Sequence, residues 1–443
     1  VVAVREYALI VLVTAAVTYL LTPLVRRLAI AGGAIHAARD RDVHVVPIPR
    51  MGGLAIYFGV AAGLLVAAQV SPMRVLFQDS PRMAAGLLLA GGLIVAVGVI
   101  DDRWGLNAII KLAGQVGAGV ILVWSGTQLS WLPEPNGGTL GLSYNQSTAL
   151  TILVVVATIN AVNFIDGLDG LAAGIVCIAA IAFFVYSYRL TQVVQPRISD
   201  LGAPALAAAL VVGACVGFLP HNFYPARIFM GDTGAYLLGL LLAYIPISSI
   251  ASTPTTALRG NTANRFPEVL PLLLPAAILV IPYADLVLAV VRRTRAGQSP
   301  LAPDRKHLHH RLLDIGHSHR SSVLIMYLWA TLFSGVVVWL SIAKTPLFAL
   351  AVITMAAVLM LLLMSMPRLR WWERGRRVRP DAIRAAAVRA AAATGAAADH
   401  LAAGQAVASG TRSAGHAADA VSRAGASGHP RLTAAPHRVR TPR

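Results

Sequence analysis

"NFIDGLDGLAAG" (residues 163–174) places two aspartates, Asp166 and Asp169, three residues apart at the end of a long apolar run, each followed by glycine. A carboxylate at the centre of a bilayer costs about 2.5–3.5 kcal/mol even on insertion scales. The run before these acids, near 148–165, is long enough to span a membrane. Whether the acids sit in lipid or at its edge therefore decides how the chain is folded.

The rest of the sequence answers in favour of a membrane. Of its 443 residues 57% are hydrophobic and only 13% are charged, and a soluble domain has no means of covering so much apolar surface. The expected fold is an all-α polytopic membrane protein. About eleven transmembrane helices are expected, near 7–25, 52–70, 83–100, 107–124, 148–165, 169–188, 203–220, 233–250, 267–291, 322–342 and 346–366. The first is not expected to be a cleavable signal, because it is long and Arg26 and Arg27 follow it instead of preceding it. Both cysteines, Cys177 and Cys215, fall inside spans, which leaves no disulfide framework.

Loop charge sets the expected orientation. Fourteen Lys and Arg lie in loops after odd-numbered spans, against seven after even-numbered ones. The positive-inside rule then puts the N-terminus outside and the C-terminus in the cytoplasm. The organisation expected is a transmembrane domain over 1–367 and a basic Ala/Arg/Gly-rich cytoplasmic tail over 368–443, largely disordered. "RLRWWERGRRVR" (368–379) couples two tryptophans to six arginines, as an anchor on anionic membrane lipids would. That reading is preferred to a nucleic-acid role.

With this orientation, the unusual polar residues fall on one side. "VIDDRWGLNAIIK" (99–111), "NAVNFIDGLDG" (160–170), "FLPHNFYPARIFMGDTGAYLLG" (218–239) and "DRKHLHHRLLDIGHSHR" (304–320) all map to odd-numbered, cytoplasmic loops. Any one of them alone would pass for a solvated boundary, a turn or a helix cap. Four on one face, with nothing comparable opposite, describe a site assembled from several loops. Asn160, Asn163, Asp166 and Asp169 recur every third residue, which turns them toward one helix face. Carboxylates and amide carbonyls are hard oxygen donors that favour Mg²⁺, with Mn²⁺ as the alternative. Lys111, Arg305 and Lys306 offer donors for phosphate oxygens. Acidic metal ligands beside basic phosphate donors are what phosphoryl transfer requires.

At these residues the chain resembles the bacterial polyprenyl-phosphate N-acetylhexosamine-1-phosphate transferases (glycosyltransferase family 4). The resemblance is carried by "PIPRMGG" (47–53), "DDRWGL" (101–106), "NAVNFIDGLDGLAAG" (160–174), "FMGDTGAYLLG" (229–239) and "DRKHLHHRLLDIGHS" (304–318), and runs from about 20 to 366. It implies transfer of a sugar-1-phosphate from a UDP-sugar to a polyprenyl phosphate at the cytoplasmic face of a bacterial plasma membrane, with release of UMP. By the same resemblance, Asp232 and Asn163 hold Mg²⁺. Asp101 positions or deprotonates the acceptor, Asp102 lies at the metal–phosphate centre and Lys111 lies near the phosphates. Asp169 comes close to the uracil, with Asp166 and Asn160 as neighbours on the substrate side. His307, His309 and His310, flanked by Arg305 and Arg311, form a loop that closes on sugar and phosphate. Arg50 and the glycines of "PRMGG" line the acceptor's entrance, and a homodimer is expected by family analogy.

"HLHHRL" after "DRK" resembles the branch that uses UDP-N-acetylglucosamine (UDP-GlcNAc), with undecaprenyl or decaprenyl phosphate as acceptor, at the first membrane step of a cell-wall polysaccharide linkage unit. The alternative in the family is the phospho-MurNAc-pentapeptide transferase of peptidoglycan synthesis. Direct attack by the lipid phosphate and a covalent intermediate on Asp101 are both open, with direct attack sufficient. Outside the family, a secondary transporter would carry its acids near the midplane of broken helices. A CDP-alcohol phosphatidyltransferase would need an Arg that "DGLDGLAAG" lacks.

Overall fold

A computed structural model describes residues 2–34, 48–133, 139–193, 202–252 and 317–342, with scattered positions in 291–297 and 348–360. Among these residues the protein is a helical bundle with one small hairpin. Its helices are α1 (Val4–Ala31), α2 (Gly53–Gln69), α3 (Ser71–Asp79), α4 (Pro81–Trp104), α5 (Ala108–Trp124), α6 (Tyr144–Ile165), α7 (Leu171–Val193), α8 (Gly202–Asn222), α9 (Gly231–Ala251) and α10 (His319–Ile342). Strands β1 (Trp131–Pro133) and β2 (Thr139–Gly141) pair antiparallel between α5 and α6.

Six of these helices (α1, α4, α6, α7, α8 and α9) are long and apolar enough to cross a membrane, and α2 and α5 are shorter apolar helices. The protein is a multi-pass membrane protein. Eight of the expected spans coincide with α1, α2 and α4–α9, and the tenth with α10. Those at 267–291 and 346–366 lie outside the described residues, scattered positions apart, as does the tail after 368. The short amphipathic α3 was not expected; at nine residues it is too short to span.

Burial orders the bundle. In its most apolar window α9 is 94% buried, α8 83% and α7 72%, whereas α1 is only 28% buried. The central post is therefore α9, and α1 turns Leu9, Leu12, Leu20, Leu24 and Leu28 outward, as a lipid-facing helix does. Its other side, Thr14, Thr18 and Thr22, is fully buried. There α1 packs on α2 and α8 through small residues, which let helix backbones approach closely.

The connections decide where polar groups collect. The C-terminal ends of α1, α4, α6 and α8 and the N-terminal ends of α2, α5, α7, α9 and α10 share one end of the bundle. At the other end lie α3, the hairpin and the C-terminus of α9, where the Trp131 indole N–H donates to the Ile250 carbonyl at 3.2 Å.

Candidate active site

Asp166 and Asp169 are not stranded in lipid. Helix α6 stops at Ile165, Asp166 is its C-cap, and the chain turns through Gly170 (φ +76°) into α7 at the polar end of the bundle.

The centre of that end is an ion-pair cluster contributed by α4, α5, α6 and α9. The Lys111 ammonium lies 2.5 Å from Asp101 Oδ2 and 3.2 Å from Asp232 Oδ2. Asn163 Nδ2 donates to Asp232 Oδ1 at 2.9 Å, and the Tyr236 hydroxyl, one turn along α9, donates to Asp232 Oδ2 at 3.0 Å. Asp101 Oδ1 accepts from the Leu106 backbone N–H at 2.7 Å, tying the 101–106 turn shut. Buried charges persist when they are paired and hydrogen-bonded, and these are. Lys111 reaches the cluster because Asn107 caps α5, its side chain accepting from Ile110 N–H at 2.9 Å.

Asp102, beside Asp101 in sequence, faces a different partner. Its carboxylate accepts from the backbone N–H of Asp232 (3.0 Å), the backbone N–H of Thr233 (3.1 Å) and the Thr233 hydroxyl (2.6 Å). It thus caps α9 from another helix, where the N-cap residue Met230 offers no side-chain bond. Two glycines make this approach feasible. Gly231 has φ +69°, and a Cβ there would collide with the Asp102 carboxylate. At Gly98 of α4, a Cβ would overlap the Thr233 backbone of α9.

A second group braces the 166–170 turn. Asp169 is 2% exposed; its Oδ2 accepts from Ala226 N–H at 2.9 Å, and its own backbone N–H donates to His319 Nε2 at 3.0 Å. Gly170 N–H donates to Asn222 Oδ1 (3.1 Å), and the Tyr327 hydroxyl donates to the Gly170 carbonyl. His319 stacks on Tyr224, with ring centroids 4.7 Å apart, and the Arg320 guanidinium lies over the Tyr224 ring, 5.5 Å from its centroid. The start of α10 is thereby docked against the aspartate turn.

Asp166 differs from both groups. Burial, followed by the charge of Asp232, pushes its carboxyl up to about 8, and the Arg50 guanidinium acts in the opposite direction. Asn160 is further inside the bundle and bonds to Gln115 of α5. The backbone around Arg50 pairs with the segment before α9: Phe229 N–H donates to Pro49 O, Gly52 N–H to Phe229 O and Gly53 N–H to Met230 O. Gly52 and Gly53 are buried, and a Cβ on them would strike Phe218 of α8 and the first turn of α9 respectively. They let the segment before α2 pack closely against α8 and α9.

The structure therefore brings together Asp101, Asp102, Lys111, Asn163 and Asp232, with Asp166 and Arg50 beside them. It sets Asp169 into a bracing network and Asn160 below. Arg305, His307, His309, His310 and Arg311 lie outside the described residues. Sequence spacing alone missed Thr233, Tyr236, Asn222, His319 and Tyr327. Of these, Tyr236 was recoverable, since it stands four residues after Asp232 on a helix.

Among the described residues no three His, Cys, Asp or Glu side chains converge as a metal cage. Mg²⁺ does not need one: it is commonly held by one or two carboxylates together with substrate phosphates and water. Asp232 and Asn163 both carry hard oxygen donors and sit within one hydrogen bond of each other, and with the Asn163 amide turned to present its Oδ1 the pair fits that ion.

Residues 84–250, which contain all five of Asp101, Asp102, Lys111, Asn163 and Asp232, match the model of glycosyl transferase family 4. The chain is 45% identical over 333 residues to the decaprenyl-phosphate N-acetylglucosaminephosphotransferase of Mycolicibacterium smegmatis, covering 73% of this chain and 80% of that protein. The chain belongs to glycosyl transferase family 4. Within the family, it is 44% identical to the enzyme of the same name from Mycobacterium leprae, over 73% of this chain and 81% of the relative. It is 27% identical to the undecaprenyl-phosphate alpha-N-acetylglucosaminyl 1-phosphate transferase of Escherichia coli K12, over 70% and 77%. The family match spans α4 to α9 almost end to end, and so includes the ion-pair cluster and the cap on α9.

Proposed function

We propose that this protein transfers N-acetylglucosamine-1-phosphate from UDP-GlcNAc to a polyprenyl phosphate, releasing UMP. Decaprenyl phosphate is the preferred acceptor and undecaprenyl phosphate the second. The observation that carries this reading is the 44–45% identity, over most of both chains, to relatives named for that reaction. The Asp101–Lys111–Asp232–Asn163 cluster supports it, since it is the apparatus such chemistry needs.

The reaction is a displacement at phosphorus. An oxygen of the acceptor phosphate forms a bond to the β-phosphorus of the UDP-sugar, and the pyrophosphate bond to UMP breaks. Both reactants are anions, so the protein's task is positioning and charge compensation. Lys111 supplies a fixed cation where phosphate oxygens gather, and Asp101 holds its ammonium in place. The backbone N–H groups of Asp232 and Thr233 are already taken by Asp102, so the start of α9 aims Asp232 and does not itself cradle phosphate. Asp232 and Asn163 would hold Mg²⁺, which when bound would polarise phosphoryl oxygens and stabilise charge on the departing UMP. Asp166 and Arg50 would serve the substrate side, and Arg305, His307, His309, His310 and Arg311, which lie outside the described residues, would serve the sugar and phosphate. Direct attack by the acceptor suffices, and no covalent intermediate on Asp101 is assigned.

We place this site on the cytoplasmic face of the bacterial plasma membrane, with the N-terminus outside, the C-terminus inside and eleven spans. Two observations support the topology. Basic residues favour the loops of the site end, and α9 ends at the far end while α10 begins at the site end, which calls for an odd number of crossings between them. The product would enter a cell-wall polysaccharide linkage unit. The tail would rest on anionic lipids, and the protein would work as a homodimer.

The test is UMP release by the purified protein with decaprenyl phosphate and Mg²⁺, comparing UDP-GlcNAc with UDP-MurNAc-pentapeptide. Release with UDP-GlcNAc is expected. Release with the pentapeptide donor alone would overturn the substrate assignment, and release with neither from folded protein would overturn the reaction.

A further inference from the structure

Gln115 belongs to none of the motifs that carry the family resemblance, and no ion pair involves it. It stands four residues after Lys111 on α5, one turn deeper into the bundle on the same helix face. Its side chain is 2% exposed, and the other buried positions of α5 (Ala118, Gly119, Leu122 and Val123) carry no polar side-chain group. A lone buried amide in an apolar helix demands a partner. That partner is Asn160 of α6, whose Nδ2 donates to Gln115 Oε1 at 2.6 Å and to the Val156 carbonyl at 2.8 Å. Both hydrogens of the Asn160 amide are thus spent inside the protein.

Two levels of polar contact follow. At the upper level, Lys111 of α5 and Asn163 of α6 meet on Asp232 of α9. At the lower level, Gln115 of α5 meets Asn160 of α6 directly. The residues repeat at i, i+4 on α5 and at i, i+3 on α6, so each helix presents both levels on one face. The outer side of α5 exposes Ile109, Ile110, Leu112, Val120 and Trp124. Lipid tails are as apolar as these side chains and give α5 no rotational preference. A directional amide bond does.

We infer that Gln115 and Asn160 form a positioning pair that sets the rotation of α5 against α6 and so aims Lys111 at Asp101 and Asp232 together. Gln115 touches no reacting atom and acts through Lys111. The inference rests on the transferase reading above. A misplacement of about 1 Å at a reacting group can cost on the order of 10²-fold in rate, so a small turn of α5 is enough to matter.

The test uses the full chain and three variants: Gln115→Leu, Asn160→Leu and the double Gln115→Leu/Asn160→Leu. Replacing both partners by apolar groups is close to neutral for folding, so the double variant separates aim from stability. It is expected to melt near the wild-type temperature with kcat reduced about tenfold to a hundredfold and KM for UDP-GlcNAc within about twofold of wild type. The single variants should lose no more kcat than the double, because the two residues act as a unit. A reciprocal exchange, Gln115→Asn with Asn160→Gln, should recover most of the lost kcat. Wild-type kcat in the double variant would overturn the inference, as would a KM increase confined to variants lacking Asn160. If the wild-type protein itself releases no UMP, the transferase reading fails first.

Discussion

The two ends of α9 are both closed by side chains borrowed from other segments, but by different chemistry. At the N-terminus the Asp102 carboxylate of α4 takes two backbone N–H groups and a hydroxyl, in a neighbourhood that also holds Asp101, Lys111, Asn163 and Asp232. At the C-terminus a neutral indole N–H from the hairpin serves the Ile250 carbonyl, and Thr151 takes the Leu129 N–H nearby. Either device satisfies orphan groups of the helix. The N-terminus offers N–H donors and calls for an acceptor such as the Asp102 carboxylate, whereas the C-terminus offers carbonyls and calls for a donor such as the indole, so capping explains Asp102 and Trp131 alike. Capping does not call for Asp101, Lys111 and Asp232 beside it, and that excess of charge distinguishes the two ends.

This comparison can be broken by substitution, starting with the largest effect. Asp232→Asn should reduce UMP release on the order of 10³-fold while the protein remains folded, since Asn keeps the size and much of the hydrogen bonding of the side chain. Kinetics beside a melting curve would check this, and near wild-type turnover would remove Asp232 from the centre. Asp102→Ala should both slow turnover, by about 10²-fold, and lower stability by about 1–2 kcal/mol, as loss of a helix cap does. A change in only one of these would separate capping from aiming.

The third effect is a pH dependence. Burial, followed by the charge of Asp232, pushes the Asp166 carboxyl up to about 8, above its ordinary range. Between the two values the folded state binds more protons than the unfolded one, so this residue's contribution to stability falls as pH rises from about 4 toward 8. The melting temperature should decline over that interval in the wild type, and less so in Asp166→Asn. The smallest effect belongs to the far end. Trp131→Phe removes one hydrogen bond and should cost about 1 kcal/mol in a denaturation experiment, with kcat unchanged.

The helical, membrane-crossing character of the chain was legible because apolar runs of spanning length are a strong signal, and nine of the expected spans coincide with observed helices. The gathering of Asp101, Lys111, Asn163 and Asp232 was legible too, since loop charge and span parity put their segments on one side before any contact was known. What each carboxylate does there was not legible. Asp101 and Asp102 are neighbours in sequence and identical in type, yet one pairs with a lysine and the other caps a helix 130 residues away. Asp166 and Asp169 share a motif, yet one stays partly accessible while the other is spent on Ala226 and His319's turn. Those divisions depend on the crossing of α4 with α9 and on the docking of α10, which are long-range contacts with no local periodicity. The close packing of the "PRMGG" glycines was not legible for the same reason, because the surfaces they fit against, Phe218 and the start of α9, lie far along the chain.

Lys111→Met tests the central claim most directly, since Lys111 alone links α5 to both Asp101 and Asp232 in the cluster described here. It should be compared with the wild type for UMP release at saturating UDP-GlcNAc and polyprenyl phosphate, with folding verified by its melting curve. A loss of at least about 100-fold in a folded protein is predicted, as expected when a fixed charge at a phosphoryl-transfer centre is removed. Turnover within about twofold of wild type would contradict the account, because the charged end of the bundle would then be structural, like the indole end.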